Sequence, residues 1–211
     1  MKIVEQSHMI LYPCTEDDWE TEYKLIELAG RTAYKSENKI SAESHIAFIK
    51  GIVSRNHLAV IEFGNIVVHF VTDRGITHEL VRYRLCSFVQ ESTRYCNYGS
   101  GKFGNEVAFV MPSGLDDLLR KGEWIQSCRD SEDQYLKLLE IGCTPQQARA
   151  VLPNCTKTEI VVKANFREWR HVFELRAVSK DAHPDMRLLM IPLYEEVRAI
   201  CPQIFDLGDP E

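Results

Sequence analysis

Between residues 82 and 95 the chain reads Arg-Tyr-Arg-Leu-Cys-Ser-Phe-Val-Gln-Glu-Ser-Thr-Arg-Tyr, and this stretch restricts the possible folds more than any other. Arg82, Arg84 and Arg94 lie among the hydroxyls of Ser92 and Thr93, with no lysine between them. A guanidinium stays charged at any working pH and presents a planar fork of donors matched to phosphate. The fold must therefore bring the stretch to solvent or to an anion. A solvated basic face is the plain reading. The interleaving favours a phosphorylated ligand instead, because Tyr83, Phe88 and Tyr95 can bracket a planar ring or base. Gly75 opens a short helix over 76–83 in which Glu79 or His78 can share a face with Arg82, after which the stretch runs out into a loop. Side chains at the exit of a helix onto a loop suit a ligand site held by a rigid scaffold.

Elsewhere helices and strands alternate. Residues 2–12 read as a strand, and 16–33 as a helix with Trp19, Tyr23, Leu25, Ile26 and Leu28 at helical spacing. A second helix spans 41–53. The Val-, Ile- and Phe-rich run 58–71, interrupted by Gly64-Asn65, reads as two short strands or one bent strand. A strand over 106–111 precedes a long amphipathic helix over 115–142. Thr144-Pro145-Gln146-Gln147 then carries an N-cap, a proline at the first helical position and a capping-box glutamine, so Arg149 sits in the second turn of a short helix. Strand character over 158–163 gives way to a helix over 166–177, where Trp169, Val172, Phe173 and Arg176 recur at three- and four-residue spacing. Arg176 ends this apolar stripe, either snorkelling to solvent or pairing with something buried. A last helix covers 184–200. No repeat, low-complexity tract or linker interrupts the chain, and residues 1–211 read as one α+β domain.

Charged residues make up 27% of the chain and the aliphatic and aromatic set 45%, an ordinary soluble composition. No apolar run is long enough for a membrane span, and Met1-Lys2-Ile3-Val4-Glu5 lacks an apolar signal core, so a cytoplasmic protein is expected. The net charge of -6 argues against a nucleic-acid polymer as partner but not against a nucleotide, which needs only a local cationic cluster. The seven cysteines, at 14, 86, 96, 128, 143, 155 and 201, show no paired spacing. They are expected to be reduced and mostly buried, with no disulfide framework and no metal site. Cys86 and Cys96 invite a nucleophile reading, but no fixed base is evident beside either.

Arg82-x-Arg84, seven residues, then Ser92-x-Arg94-Tyr95 resembles the signature of the flavin-dependent thymidylate synthases, the ThyX family. Tyr83 stands where that pattern has histidine. Three further segments match in order: His57-Leu58-Ala59 with Glu62, Ala148-Arg149 with Leu152-Pro153, and Asn165-Phe166-Arg167 followed by His171 and Leu175-Arg176. The resemblance covers most of the chain. It implies an α+β fold with a central, mostly antiparallel sheet flanked by helices. It also implies a homotetramer whose subunits share the sites, converting dUMP to dTMP with methylenetetrahydrofolate as one-carbon donor and NADPH as reductant through FAD.

By the same resemblance Arg176 is the catalytic residue, stabilising negative charge on the uracil ring in place of attack by a thiol. The flavin would contact Ala59, Arg82, Tyr83, Arg84, Gln90, Asn165, Arg167 and His171. The nucleotide would contact Glu79, Leu80, Val81, Arg82, Gln90, Glu91, Ser92, Thr93, Arg94, Arg149 and Arg176. His57 and Glu62 would lie near the flavin, or serve as a solvent-facing histidine and a structural carboxylate. Four features depart from the family. Glu79 replaces a frequent glutamine, Tyr83 a histidine and Ala59 a Ser/Thr-type position, and 177–183 is longer than the usual turn. Tyr83 also motivates a second reading, a diverged enzyme acting on another pyrimidine nucleotide, and a third is a non-catalytic flavin- or nucleotide-binding regulator that retains the pocket.

Overall fold

The strand expected over 2–12 is two strands, β1 (Lys2–Val4) and β2 (Ser7–Tyr12), in the computed structural model, which describes residues 1–210. Helices α1 (Glu16–Thr32) and α2 (Ser44–Ser54) follow. The Thr15 hydroxyl accepts from the Asp18 N–H at 3.2 Å and the Asp18 carboxylate accepts from the Thr15 N–H at 3.0 Å, a reciprocal cap that fixes where α1 begins.

The expected strand or strands over 58–71 must be corrected. Leu58–Phe63 is a 3₁₀ helix, and β3 (Asn65–Asp73) starts only after Gly64. A side chain at residue 64 would put its Cβ 2.8 Å from the Phe166 ring and 2.9 Å from Ile26, so glycine alone allows this approach. Helix α3 (Arg74–Leu80) comes next, capped by the Asp73 carboxylate, and β4 (Ser87–Gln90) occupies the middle of the stretch expected to be a loop. Strand β5 (Ala108–Val110), α4 (Leu118–Glu140), α5 (Pro145–Ala148), β6 (Lys157–Asn165) and α6 (Phe166–Phe173) agree in type with expectation. Helix α6 stops short of 177, because Glu174–Val178 is a π-helical turn. Helices α7 (Pro184–Ile200) and α8 (Pro202–Phe205) complete the described chain.

The fold is α+β. An antiparallel sheet has the order β2-β3-β6-β4, and β1 pairs in parallel with β5, Ile3 opposite Phe109. Alternation along β3 buries Ile66, Val68, Phe70 and Thr72, and along β6 Thr158, Ile160, Val162 and Ala164. The chain forms two compact units and passes between them within β2, β3, β4 and β6 and between Arg82 and Tyr83.

The first unit comprises Met1–Ser7, Phe70–Arg82 and Val89–Ile160. Its core gathers Tyr98, Val107, Phe109, Cys128, Tyr135 and Ala148. The buried Glu132 carboxylate accepts from the Val107 N–H at 2.6 Å and meets the terminal ammonium at 3.0 Å, so its charge is paired. The second unit comprises His8–His69, Tyr83–Phe88 and the chain from Val161 onward. Its core is aromatic: Trp19 meets Phe166 at 5.8 Å, Phe166 meets Phe205 at 5.4 Å, and Trp169 stacks on Phe173 at 5.4 Å. Fully burying side chains of this size contributes about 1.5–3 kcal/mol each, so this cluster anchors α6. No helix among the described residues is long and apolar enough to cross a membrane.

Candidate active site

In the first unit two of the expected nucleotide residues, Gln90 and Arg149, are held by threonines. The amide Nε2 of Gln90 donates to the hydroxyls of Thr77 at 2.9 Å and Thr158 at 3.2 Å, and both threonines are fully buried. Arg74 donates to the same Thr158 hydroxyl at 3.3 Å and to the Glu91 carbonyl at 3.4 Å. Thr93, buried in the turn after β4, accepts from Arg149 Nη1 at 3.1 Å. Arg149 caps α5 and begins a 3₁₀ turn, which carries its exposed side chain back to that turn. The capping box expected at Thr144 and Gln147 is present, so Arg149 has a fixed starting point.

The neighbouring residues differ in their freedom. Glu91 accepts from the Tyr98 hydroxyl at 2.8 Å and from Lys157 at 3.1 Å, which ties its carboxylate into the unit. Burial works against the Lys157 charge, but the Glu159 and Glu91 carboxylates more than reverse this and hold its pKa above the ordinary lysine value. Ser92 accepts from the Arg94 N–H at 3.3 Å, and the exposed Arg94 guanidinium lies over the Tyr95 ring at 5.2 Å. Leu80 is buried, Glu79 half-buried, and Val81 and Arg82 exposed.

In the second unit the structure joins Tyr83 to Arg176, 93 residues further along the chain, and to His171 in the same C-terminal segment. Arg176 Nε donates to the Tyr83 hydroxyl at 2.8 Å and its guanidinium lies 5.7 Å from the ring centroid. The same ring meets His171 edge-on at 5.8 Å, with the planes at 79°. Tyr83 is only 8% exposed. Burial pushes its phenol above the ordinary pKa, Arg176 pulls it back in part, and Glu168 adds to the rise. Arg176 itself is half-buried within the π-helical turn. That wider turn departs from the expected α-helix, and Ala177 is the residue it buries completely.

Beside this trio lies a cavity of about 610 Å³ lined by Asn165, Arg167 and His171, together with Glu62, Leu85, Arg170 and Glu174. A second cavity of about 740 Å³, lined by His57, Ala59 and Phe48, shares Asn56, Leu58 and Arg167 with the first. Asn165 caps α6 by accepting from the Glu168 N–H at 2.8 Å, and Arg167 pairs with Glu62 at 2.6 Å across two half-exposed side chains. Arg84 is exposed and lines neither cavity. The donors Arg167, Arg170, His171 and Asn165 share the lining with the carboxylates of Glu62, Glu168 and Glu174 and with the apolar Leu58, Leu85 and Leu207, a mainly polar cavity that can hold a planar ligand rich in hydrogen-bonding groups. A flavin is such a ligand.

Cys86 is not set up as a nucleophile. All seven cysteines are free, but only Cys128 and Cys201 are fully buried and Cys14 is exposed, fewer buried than expected. Burial, with Glu168 adding to it, pushes the Cys86 thiol up to about 12, far from the thiolate a nucleophile requires. Among the described residues no group of three or more metal-ligating side chains is poised to hold a metal ion.

The threonine anchors Thr77 and Thr158, the partner Lys157 and the buried Glu168 did not stand out in the sequence. Thr158 had a signal, since strand alternation turns it inward with Ile160 and Val162, but its partners lie 68 and 84 residues away.

Comparison with known proteins bears on the family and the fold. Residues 16–203 match the profile of the Thy1 family, described as thymidylate synthase complementing protein. The chain is 32% identical over 200 residues to the flavin-dependent thymidylate synthase of Mycobacterium marinum, covering 86% of this chain and 77% of that protein. It is 32% identical over 222 residues to the enzyme of the same name from Corynebacterium glutamicum, covering 94% and 85%. Among solved structures, the UMP/dUMP methylase PolB from Streptomyces cacaoi bound with 5-Br dUMP superposes with a TM-score of 0.76 at 17% identity, over 98% of this chain and 96% of that one. The same protein bound with 5-Br UMP gives 0.73 at 17% identity, over 98% and 95%. With the profile spanning most of the chain and the identities sustained over most of both proteins, this chain belongs to the flavin-dependent thymidylate synthase family.

Proposed function

We propose that the protein converts dUMP to dTMP, with methylenetetrahydrofolate as one-carbon donor and NADPH as reductant, as one catalytic domain in a homotetramer that shares its sites between subunits. The observation that carries this reading is the assembly of Arg176, Tyr83 and His171 beside a cavity lined by Asn165 and Arg167. These are residues that the family resemblance assigns to the pyrimidine and the flavin. Asn165, Arg167 and His171 would hold FAD, with Ala59, Arg82, Tyr83, Arg84 and Gln90 as its further contacts. FAD, when bound, supplies the reducing equivalents taken from NADPH.

The chain's own task is to place the pyrimidine and to stabilise the charge that develops on it. Arg176 supplies a permanent cation at the ring edge, where negative charge grows as C5 becomes nucleophilic. Its position is set before the nucleotide arrives. Arg149, held by Thr93, and Ser92, Thr93 and Arg94 would bind phosphate and sugar. Glu79, Leu80, Val81, Arg82, Gln90 and Glu91 would complete the nucleotide contacts. No step needs a thiol, in keeping with the high pKa of Cys86.

The test is the mass of the nucleotide product after anaerobic incubation with FAD, NADPH, methylenetetrahydrofolate and dUMP. Formation of dTMP is expected, with Arg176→Ala lowering the rate by about 100-fold or more. Unchanged dUMP with bound flavin would overturn the reading. A second reading, an enzyme acting on another pyrimidine nucleotide, is favoured by Tyr83 and by the likeness to PolB, a UMP/dUMP methylase. A parallel incubation with UMP separates the two.

A further inference from the structure

We propose that Tyr83 is the positioning residue for Arg176 and couples it to His171 on the flavin side. This rests on the function proposed above and adds to it a role for one of the residues at which the chain departs from its family's pattern.

Three observations carry it. The Arg176 Nε–H to Tyr83 Oη distance of 2.8 Å lies within the normal range for a hydrogen bond. Because a guanidinium is planar, holding Nε sets the direction in which its Nη groups face. Second, the acceptor is itself immobile: the ring is buried, with His171 against it at 5.8 Å and the guanidinium 5.7 Å from its centroid. Third, Arg176 lies in a π-helical turn, a backbone departure often found where a helix presents a functional side chain.

The choice of a phenol has a chemical consequence. A carboxylate at this place would position Arg176 equally well but would cancel much of the charge that the pyrimidine is meant to feel. A neutral phenol positions the cation and leaves its charge intact. The charged and titratable groups that face it are Arg176, His171, Glu168 and Cys86. An imidazole at residue 83 could also accept from Nε, but only while neutral, and its ordinary pKa is about 6.5. Tyrosine therefore keeps the contact at pH values where histidine would lose it.

The experiment compares the FAD-loaded full-length protein with Tyr83→Phe and Tyr83→His. It reads kcat and the KM for dUMP from about pH 5.5 to about pH 8.5, a range chosen to bracket the imidazole pKa. Tyr83→Phe keeps the ring and loses the acceptor, so about a tenfold loss in kcat/KM is expected, with unchanged flavin absorbance and thermal midpoint. Tyr83→His should recover activity above the imidazole pKa. Its rate relative to the parent should then fall as pH drops below about 6.5, because burial and Arg176 both lower the imidazole pKa from its ordinary value. A merely structural role would move the thermal midpoint and give no such pH-dependent ratio. Parent-like kinetics in Tyr83→Phe, or a Tyr83→His variant that follows Tyr83→Phe at every pH, would overturn the proposal. If the parent makes no dTMP, the functional reading fails instead. The positioning role is then read from the dUMP dissociation constant, where weaker binding by Tyr83→Phe supports it and equal binding overturns it.

Discussion

Gln90 and Arg149 in the first unit are held by the hydroxyls of buried threonines, whereas Arg167 in the second is held by the carboxylate of Glu62 on a half-exposed surface. The hydroxyl is neutral and carried on rigid backbone. It fixes a donor in place and leaves its charge for a ligand. The carboxylate fixes its partner by opposing it, and water and salt weaken that hold. The first arrangement suits a ligand whose phosphate must be gripped, and the second one that must be admitted and released. Tyr83 brings the first method into the second unit, at Arg176.

The contrast is sharpest where a charge meets a charge. Arg149→Ala should raise the KM for dUMP by about ten- to a hundredfold, the range for losing a charge-assisted hydrogen bond, with a much smaller change in kcat. Steady-state kinetics decide this; a selective fall in kcat would mean that Arg149 is not a phosphate grip. A smaller effect is expected at the anchor. Thr158→Val removes the shared acceptor of Gln90 and Arg74, and should lower the unfolding free energy by about 1–3 kcal/mol in a urea titration. A neutral result would break the comparison, since the hydroxyl would then be incidental. The smallest effect belongs to Glu62→Gln. Both partners of its ion pair are about half exposed, so stability should change by no more than about 1 kcal/mol, and FAD affinity by a few-fold that shrinks with added salt. A large, salt-independent loss would show that Glu62 holds its partner as firmly as the threonines do.

Much of this arrangement was legible beforehand. Helices α1 and α4 follow from apolar spacing, and the start of α5 follows from its capping box. The run 58–63 misled because a short apolar segment has no periodicity to separate strand from helix, and of its residues only Ile61 is buried. Strand β4 was hidden among arginines and hydroxyls that favour a loop reading, although its Phe88 and Gln90 alternate inward. The π-helical turn left no trace either, since the three- and four-residue spacing runs through it undisturbed. Within the candidate site, Tyr83 and Arg176 were each singled out, but their contact spans 93 residues of chain and only folding reveals it.

The π-helical turn has a consequence for how this site can be lost. A π turn amounts to one residue more than a regular helix needs, so removing an exposed residue such as Leu175 would let the turn close into an ordinary one. The helices on either side could keep their places while the guanidinium swung by about a quarter turn, the angle one residue subtends on a helix. In such a lineage a single lost codon would silence the chemistry and leave a protein that still folds.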